Sequence, residues 1–122
     1  SEINLLIADK KDPNKKNNSI TQYKVFQVNE KLSNIVFSPK TGKTHQIRIV
    51  AKNLGCPIIG DTKYNNQNKY SLEKLKLNAH SLGFSFNDEN FEFFSKLPEH
   101  FIIFFKKNNL KIINYSNIKN FL

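Results

Sequence analysis

The sequence predicts an α+β fold, a mostly antiparallel sheet with short helices, within one domain of 122 residues. Three observations lead there. Leu82, Phe84 and Phe86 alternate with Ser81, Gly83 and Ser85, the period of a half-buried strand. Two strand-like runs, 20–28 and 34–38, flank Asn29-Glu30-Lys31, which suits a hairpin. Between Thr44 and Gly55 the period changes, and Ile47, Val50, Ala51 and Leu54 fall within one helical arc.

The elements follow in chain order. A short apolar run (Ile3, Leu5, Leu6, Ile7) opens the chain. Residues 9–19 are rich in lysine and asparagine, contain Pro13 and lack apolar periodicity, so they read as a flexible surface loop. After the hairpin, Thr41-Gly42-Lys43-Thr44 reads as a turn, with Gly42 as its structural residue. A helix is expected from about His45 to Leu54, stopping at Gly55, the favoured residue just past a helix end. Opposite its core face lie His45, Arg48 and Lys52, a basic face. Pro57-Ile58-Ile59 leads into a turn at Gly60-Asp61, and 65–71 is a polar loop. The alternating strand at 82–86 turns through 87–90 into a second strand at 91–94. Leu97-Pro98 opens a short helix whose apolar side is Phe101, Phe104 and Phe105. The tail from Leu110 is apolar enough to pack, and its pattern specifies no element.

Composition narrows the function classes. Lysine and arginine total 19 against 10 acidic residues, a net charge of +9. Such a balance points to an anionic partner, nucleic acid first, or to a plain solvated lysine surface. Lysine supplies 18 of the basic residues, asparagine occurs 18 times and isoleucine 13 times, and all three have A/T-rich codons, so part of the skew is genomic. Cys56 stands alone, which excludes a disulfide scaffold and fits a reducing, cytoplasmic setting. No run approaches the ~18 apolar residues of a membrane span, and the opening residues lack the basic start of a signal peptide, so no membrane partner is expected. His45, His80, His100 and Cys56 lack ligand spacing, and the four glycines form no phosphate loop. No metal or cofactor is expected.

One constellation is specific. Thr41-Gly42-Lys43-Thr44-His45-Gln46-Ile47-Arg48 is followed by Leu54-Gly55-Cys56-Pro57-Ile58-Ile59-Gly60-Asp61 and Tyr64. Thr21-Gln22-Tyr23 stands before it, and Leu77-Asn78-Ala79, Leu97-Pro98 and Phe101 stand after it. In this order and spacing the residues resemble the C-terminal half of the catalytic domain of the pseudouridine synthases that modify large-subunit ribosomal RNA and some transfer RNA. The resemblance covers roughly residues 20–105. Lys43 stands where that family has arginine, and Val50 and Asn78 where it has histidine.

The resemblance implies cofactor-free isomerisation of uridine to pseudouridine in ribosomal or transfer RNA, on a base flipped from its stack. It also implies an absence. The family's catalytic aspartate lies in an upstream H-R-L-D motif, and the only arginine here is Arg48. The chain is therefore expected to be a C-terminal portion of a catalytic domain, inactive alone. Its expected partners are RNA and either the missing N-terminal half or a second copy through an open sheet edge. The rival reading is a non-catalytic RNA-binding remnant.

Arg48 is the foremost candidate. A lone arginine among lysines marks a place where a planar, two-pronged donor is required. In the family the matching arginine pairs with the catalytic aspartate. His45 and Gln46 are candidates for RNA phosphate or for holding Arg48. Lys43, Thr44 and Lys52 are candidate RNA neighbours. Tyr23 and Tyr64 stack on a base or simply pack. Asp61, after Gly60, caps its turn or takes part in chemistry.

Overall fold

The computed structural model describes residues 1–9, 11–12, 14–66 and 68–113. Strands β1 (Glu2–Ala8), β2 (Lys16–Asn29) and β3 (Leu32–Pro39) form an antiparallel sheet in the order β1-β2-β3. The expected loop at 9–19 is corrected here: Lys16–Ser19 is strand, pairing with Leu5–Ala8. Polar side chains hid it, because Asn17 and Ser19 break the hydrophobic alternation while their backbone completes the ladder. Only 9–15 turns the chain, around Asp9, whose Oδ1 accepts from the backbone N–H of Lys11 and Asp12.

Helix α1 (Gln46–Asn53) lies across this sheet and touches all three strands. The core beneath it is small. Val50 and Ala51 meet Ile7 and the strand residues Ser19 and Thr21, all essentially buried. Hydroxyl side chains at that depth need partners. Ser19 Oγ donates to the Leu5 carbonyl at 2.9 Å, and Thr21 Oγ1 accepts from Gln46. The helix stops where expected, with Gly55 at φ +81.

A second core gathers around α2 (Glu99–Lys107). Phe101, Phe104 and Phe105 pack against Leu32, Ile59, Tyr70, Leu97 and Leu110. Glu99 in its first turn and Lys106 and Lys107 in its last complement the helix dipole. Leu110 N–H donates to the Phe105 carbonyl at 2.8 Å, closing the end with Asn109 at φ 57. This described part of the tail is irregular, and residues 114–122 lie outside the described residues. Asn29 Nδ2 donates to the Asn108 carbonyl, joining α2 to the β2–β3 hairpin.

Strands β4 (Ser81–Phe86) and β5 (Glu89–Phe94) form a separate two-stranded sheet. Asn87 (φ 51) and Asp88 (φ 64) make the tight turn that matches strand twist. The period-2 reading held, but its burial did not. Leu82, Phe84, Phe86 and Phe93 are exposed. Phe84 instead stacks on Phe91 and Phe93, with ring centroids 5.3 and 5.8 Å apart. No described helix is long and apolar enough to cross a membrane.

Candidate functional site

The motif residues converge at the start of α1. Gln46 is the organiser. Its Oε1 accepts from Thr41 Oγ1 and the Lys43 N–H at 2.8 and 2.9 Å, and its Nε2 donates to the Ile20 carbonyl and Thr21 Oγ1 at 3.0 and 2.9 Å. All four hydrogen-bonding positions of the amide are filled, and the residue is buried. Gln46 therefore clamps the 41–43 loop onto β2, a role the sequence did not suggest for it. Gly42 lacks the marks of an obligatory turn glycine. It has no positive φ and open space around it, so the turn does not depend on its being glycine.

Arg48 is the second fixed point. Its Nε donates to Asp61 Oδ2 at 2.9 Å and its Nη2 to Asp61 Oδ1 at 2.7 Å, a two-pronged ion pair. The Asp61 side chain is wholly buried and that of Arg48 is 20% exposed. The Arg48 side chain is therefore mostly buried rather than solvated, while still bordering the same groove as His45. Asp61 Oδ1 also accepts the N–H of Lys63 and Tyr64, each at 3.0 Å. Asp61 thus caps its turn, one of the two roles the sequence left open, and holds Arg48, a role the sequence did not suggest for it. Hydrogen bonds from Arg48 hold its carboxyl down to about 2, with help from the Tyr64 and Lys63 N–H groups and against burial, which pushes it up. The same bond raises the Arg48 guanidinium. Arg48 was expected to pair with an aspartate outside this chain. Asp61 takes one edge of the guanidinium, and Nη1 has no partner among the described residues.

Gly60 fixes where Asp61 sits. It has φ +82, and a Cβ there would meet the Lys74 carbonyl and lie 2.7 Å from the Leu75 nitrogen. Only glycine satisfies both the conformation and the approach. Ile59 receives the Lys76 N–H across the same contact at 2.9 Å. The Lys76 ammonium, only 6% exposed, donates to Glu73 Oε2, the Lys74 carbonyl and His100 Nδ1. Burial, then the Lys76 charge, pushes the His100 imidazole down. Neither Lys76 nor the buried part of this network was legible in sequence, since an ammonium signals burial only through partners far along the chain.

Tyr64 leans on the ion pair. The Arg48 guanidinium carbon lies 5.2 Å from its ring centroid, and Lys63 Nζ lies 5.4 Å from it. Its hydroxyl is 3.0 Å from His45 Nδ1. His45 stands in the left-handed region, φ 52, as the residue before α1. Two grooves meet at its ring. One, about 340 Å³, is bordered by Thr41, Gly42, Lys43, His45, Ile47 and Arg48. The other, about 410 Å³, is bordered by Ile7, Thr44, His45, Ile49, Lys63 and Tyr64. Tyr23 and Lys52 border neither; Tyr23 packs against Phe37, with ring centroids 6.2 Å apart.

No family model and no solved structure matches the chain. Curated relatives do. Ribosomal large subunit pseudouridine synthase C of Rickettsia conorii is 41% identical over 68% of this chain and 29% of its own length. Ribosomal large subunit pseudouridine synthase D of Borreliella burgdorferi is 36% identical over 84% of this chain and 33% of its own. An uncharacterized RNA pseudouridine synthase of Zymomonas mobilis is 37% identical over 52% of this chain and 30% of its own. The chain thus spans about a third of the length of these relatives. The 84% match necessarily takes in the Arg48–Asp61 pair, wherever along the chain it begins. The chain is homologous to a part of the RNA pseudouridine synthases of the ribosomal large-subunit type.

Proposed function

We propose that this chain forms one wall of the uridine pocket of an RNA pseudouridine synthase acting on ribosomal RNA, and that the nucleophilic aspartate comes from outside it. The observation that carries this reading is the guanidinium of Arg48. Asp61 and Tyr64 hold it rigidly, and its residue borders the groove beside Lys43. A group so placed offers two further N–H donors on Nη1 to an entering carboxylate. It keeps that carboxylate ionised, and only the ionised form serves as nucleophile or base at the ribose. Holding the guanidinium from its far edge means that no reorganisation is needed when the charge arrives.

The described aspartates support an external nucleophile. Asp61 is wholly buried and bonded through both oxygens. Asp9 and Asp12 accept backbone N–H groups within their own turn. Asp88 lies in the β4–β5 turn, among side chains unrelated to either groove. Lys43, Thr44 and His45, exposed at the mouth of the grooves, are the RNA contacts of this reading, and the +9 charge supplies long-range attraction.

Tritium release from 5-labelled uridine in ribosomal RNA tests it. The chain alone releases none. In a polypeptide that places this segment after an H-R-L-D motif, Arg48→Lys retains RNA binding and loses on the order of 100-fold in turnover, because lysine keeps the charge and loses the fork. Lys43→Ala there weakens binding and leaves turnover at saturating RNA nearly unchanged. Full turnover by Arg48→Lys, or release by the chain alone, overturns the assignment. An RNA-binding remnant binds RNA and supports no turnover in either setting.

A further inference from the structure

The second groove, between the end of β1 and the start of α1, shares His45 with the groove that Arg48 borders but not Arg48 itself. Ile7, Ala8 and Ile49 give it an apolar side, and Asp9, Thr44, Lys63 and the His45 and Tyr64 rings complete its lining. At about 410 Å³ it falls within the size of small-molecule sites. Apolar lining beside the Lys63 ammonium suits a nucleotide: a flat base against the aliphatic surface and a phosphate at the ammonium. Asp9, the one carboxylate in its wall, sets the polarity. Its oxygens are bound to the N–H groups of Lys11 and Asp12 and to Asn17, and the hydrogen bonds from Lys11 and then Asn17 hold its pKa below the usual range, so it stays charged and repels phosphate from that end. Lys63 and Thr44 remain as the phosphate end.

The two grooves are neighbours across a single side chain. His45 borders both, and its ring is anchored to the Tyr64 hydroxyl. Left-handed backbone is unfavourable at a residue with a Cβ. The clamp of Gln46 on one side and the Tyr64 bond on the other hold His45 there, as a partition. We propose that the second groove binds the RNA nucleotide next to the target uridine, with its base on Ile7, Ala8 and Ile49 and its phosphate on Lys63 and Thr44. The proposal rests on the RNA reading above, and it makes this groove the place where the flanking base is sensed.

The test is direct binding of a labelled eight-nucleotide uridine-rich single-stranded RNA to the whole 122-residue chain at low salt. Lys63→Ala and Ala8→Trp, which fills the groove without changing charge, each weaken binding roughly five- to tenfold. Lys63→Arg restores it. Lys52→Ala, an exposed lysine outside both grooves, changes it less than about twofold. The backbone amide resonances of Ala8, Thr44 and Ile49 shift on adding the RNA. Because Lys63 is exposed, Lys63→Ala keeps the test decisive if Ala8→Trp does not fold. Equal losses for Lys52→Ala and Lys63→Ala mean diffuse charge and overturn the groove. Loss with Lys43→Ala but not with Lys63→Ala overturns the groove and leaves the RNA reading standing. No binding by the unaltered chain overturns both.

Discussion

The start of α1 and the β4–β5 hairpin are built on opposite terms. Around α1 nearly every polar group is paired inside the chain: Gln46 through four hydrogen bonds, Asp61 through four, Ser19 and Thr21 through their hydroxyls. Little apolar surface is buried there, and polar bonding fixes the geometry. The hairpin carries more large apolar side chains and buries few of them. Its phenylalanines touch one another rather than a core. The contrast shows that hydrophobicity in the sequence and rigidity in the structure need not coincide. A preorganised site comes from satisfied polar groups on packed elements, whereas an apolar hairpin without a covering layer is only marginally stable.

Four measurements break or sharpen this contrast. The largest effect belongs to Asp61→Ala. It leaves the half-buried Arg48 charge and two N–H groups without their acceptor, so unfolding free energy should fall by about 3 kcal/mol, read by thermal or urea melting. A loss under about 1 kcal/mol would show that the pair contributes little rigidity. Next is Gln46→Leu, which strands the Thr21 hydroxyl and the Lys43 N–H. We expect a loss of about 2 kcal/mol and faster hydrogen exchange at Lys43. Unchanged exchange there would mean that the loop holds its shape without the clamp.

The third effect is acid sensitivity. The Asp61 carboxyl sits at about 2 in the fold against an ordinary 3.8, so the unfolded chain binds the proton more readily. Stability from this group is complete above about pH 4 and is lost as pH falls towards 2, amounting to roughly 2 kcal/mol. His100 acts in the same sense at higher pH. Its imidazole is pushed down by burial and by Lys76, so the fold loses stability as acidification below its ordinary 6.5 protonates it. Melting from pH 7 to 2 should therefore show two declines, the lower one reduced in Asp61→Asn to what Asp9 contributes. A single decline common to both proteins would remove the Arg48–Asp61 pair as its cause.

The smallest effect on stability lies in the hairpin. Phe84→Ser should change unfolding free energy by less than about 1 kcal/mol, because the ring is about half exposed and stacks on its neighbours in the hairpin. It should instead reduce self-association, measured by sedimentation, since the exposed face of Leu82, Phe84, Phe86 and Phe93 is the most apolar surface described. Association unchanged by Phe84→Ser would put it elsewhere, at the edges of β1 or β3, and a chain monomeric at all concentrations would show that this face does not self-associate.

Much of this was legible beforehand where the rule is local. The α1 limits followed from apolar spacing and Gly55, the 81–94 hairpin from alternation and a turn, and α2 from three phenylalanines on one side of a short helix after Pro98. The functional segment was legible as spaced motifs, and the relatives carry the same assignment. The strand at Lys16–Ser19 was not, because its side chains carry the signature of a loop and only backbone pairing with β1 makes it a strand. Gly42 and Gly60 look alike in sequence. Packing separates them, since only Gly60 lies against the Lys74–Leu75 backbone.

By itself the sequence determined the periodic elements, the charge and the order of the motifs, because these depend on neighbours a few residues apart. Tertiary structure decided which polar residues face inward. Arg48 reads as a member of an exposed basic face and Gln46 as an RNA contact or a support for Arg48 until Ile20, Thr21 and Asp61 arrive from distant segments to take their hydrogen bonds. A polar side chain goes inside only when its partners come with it. Those partners are a property of the folded chain.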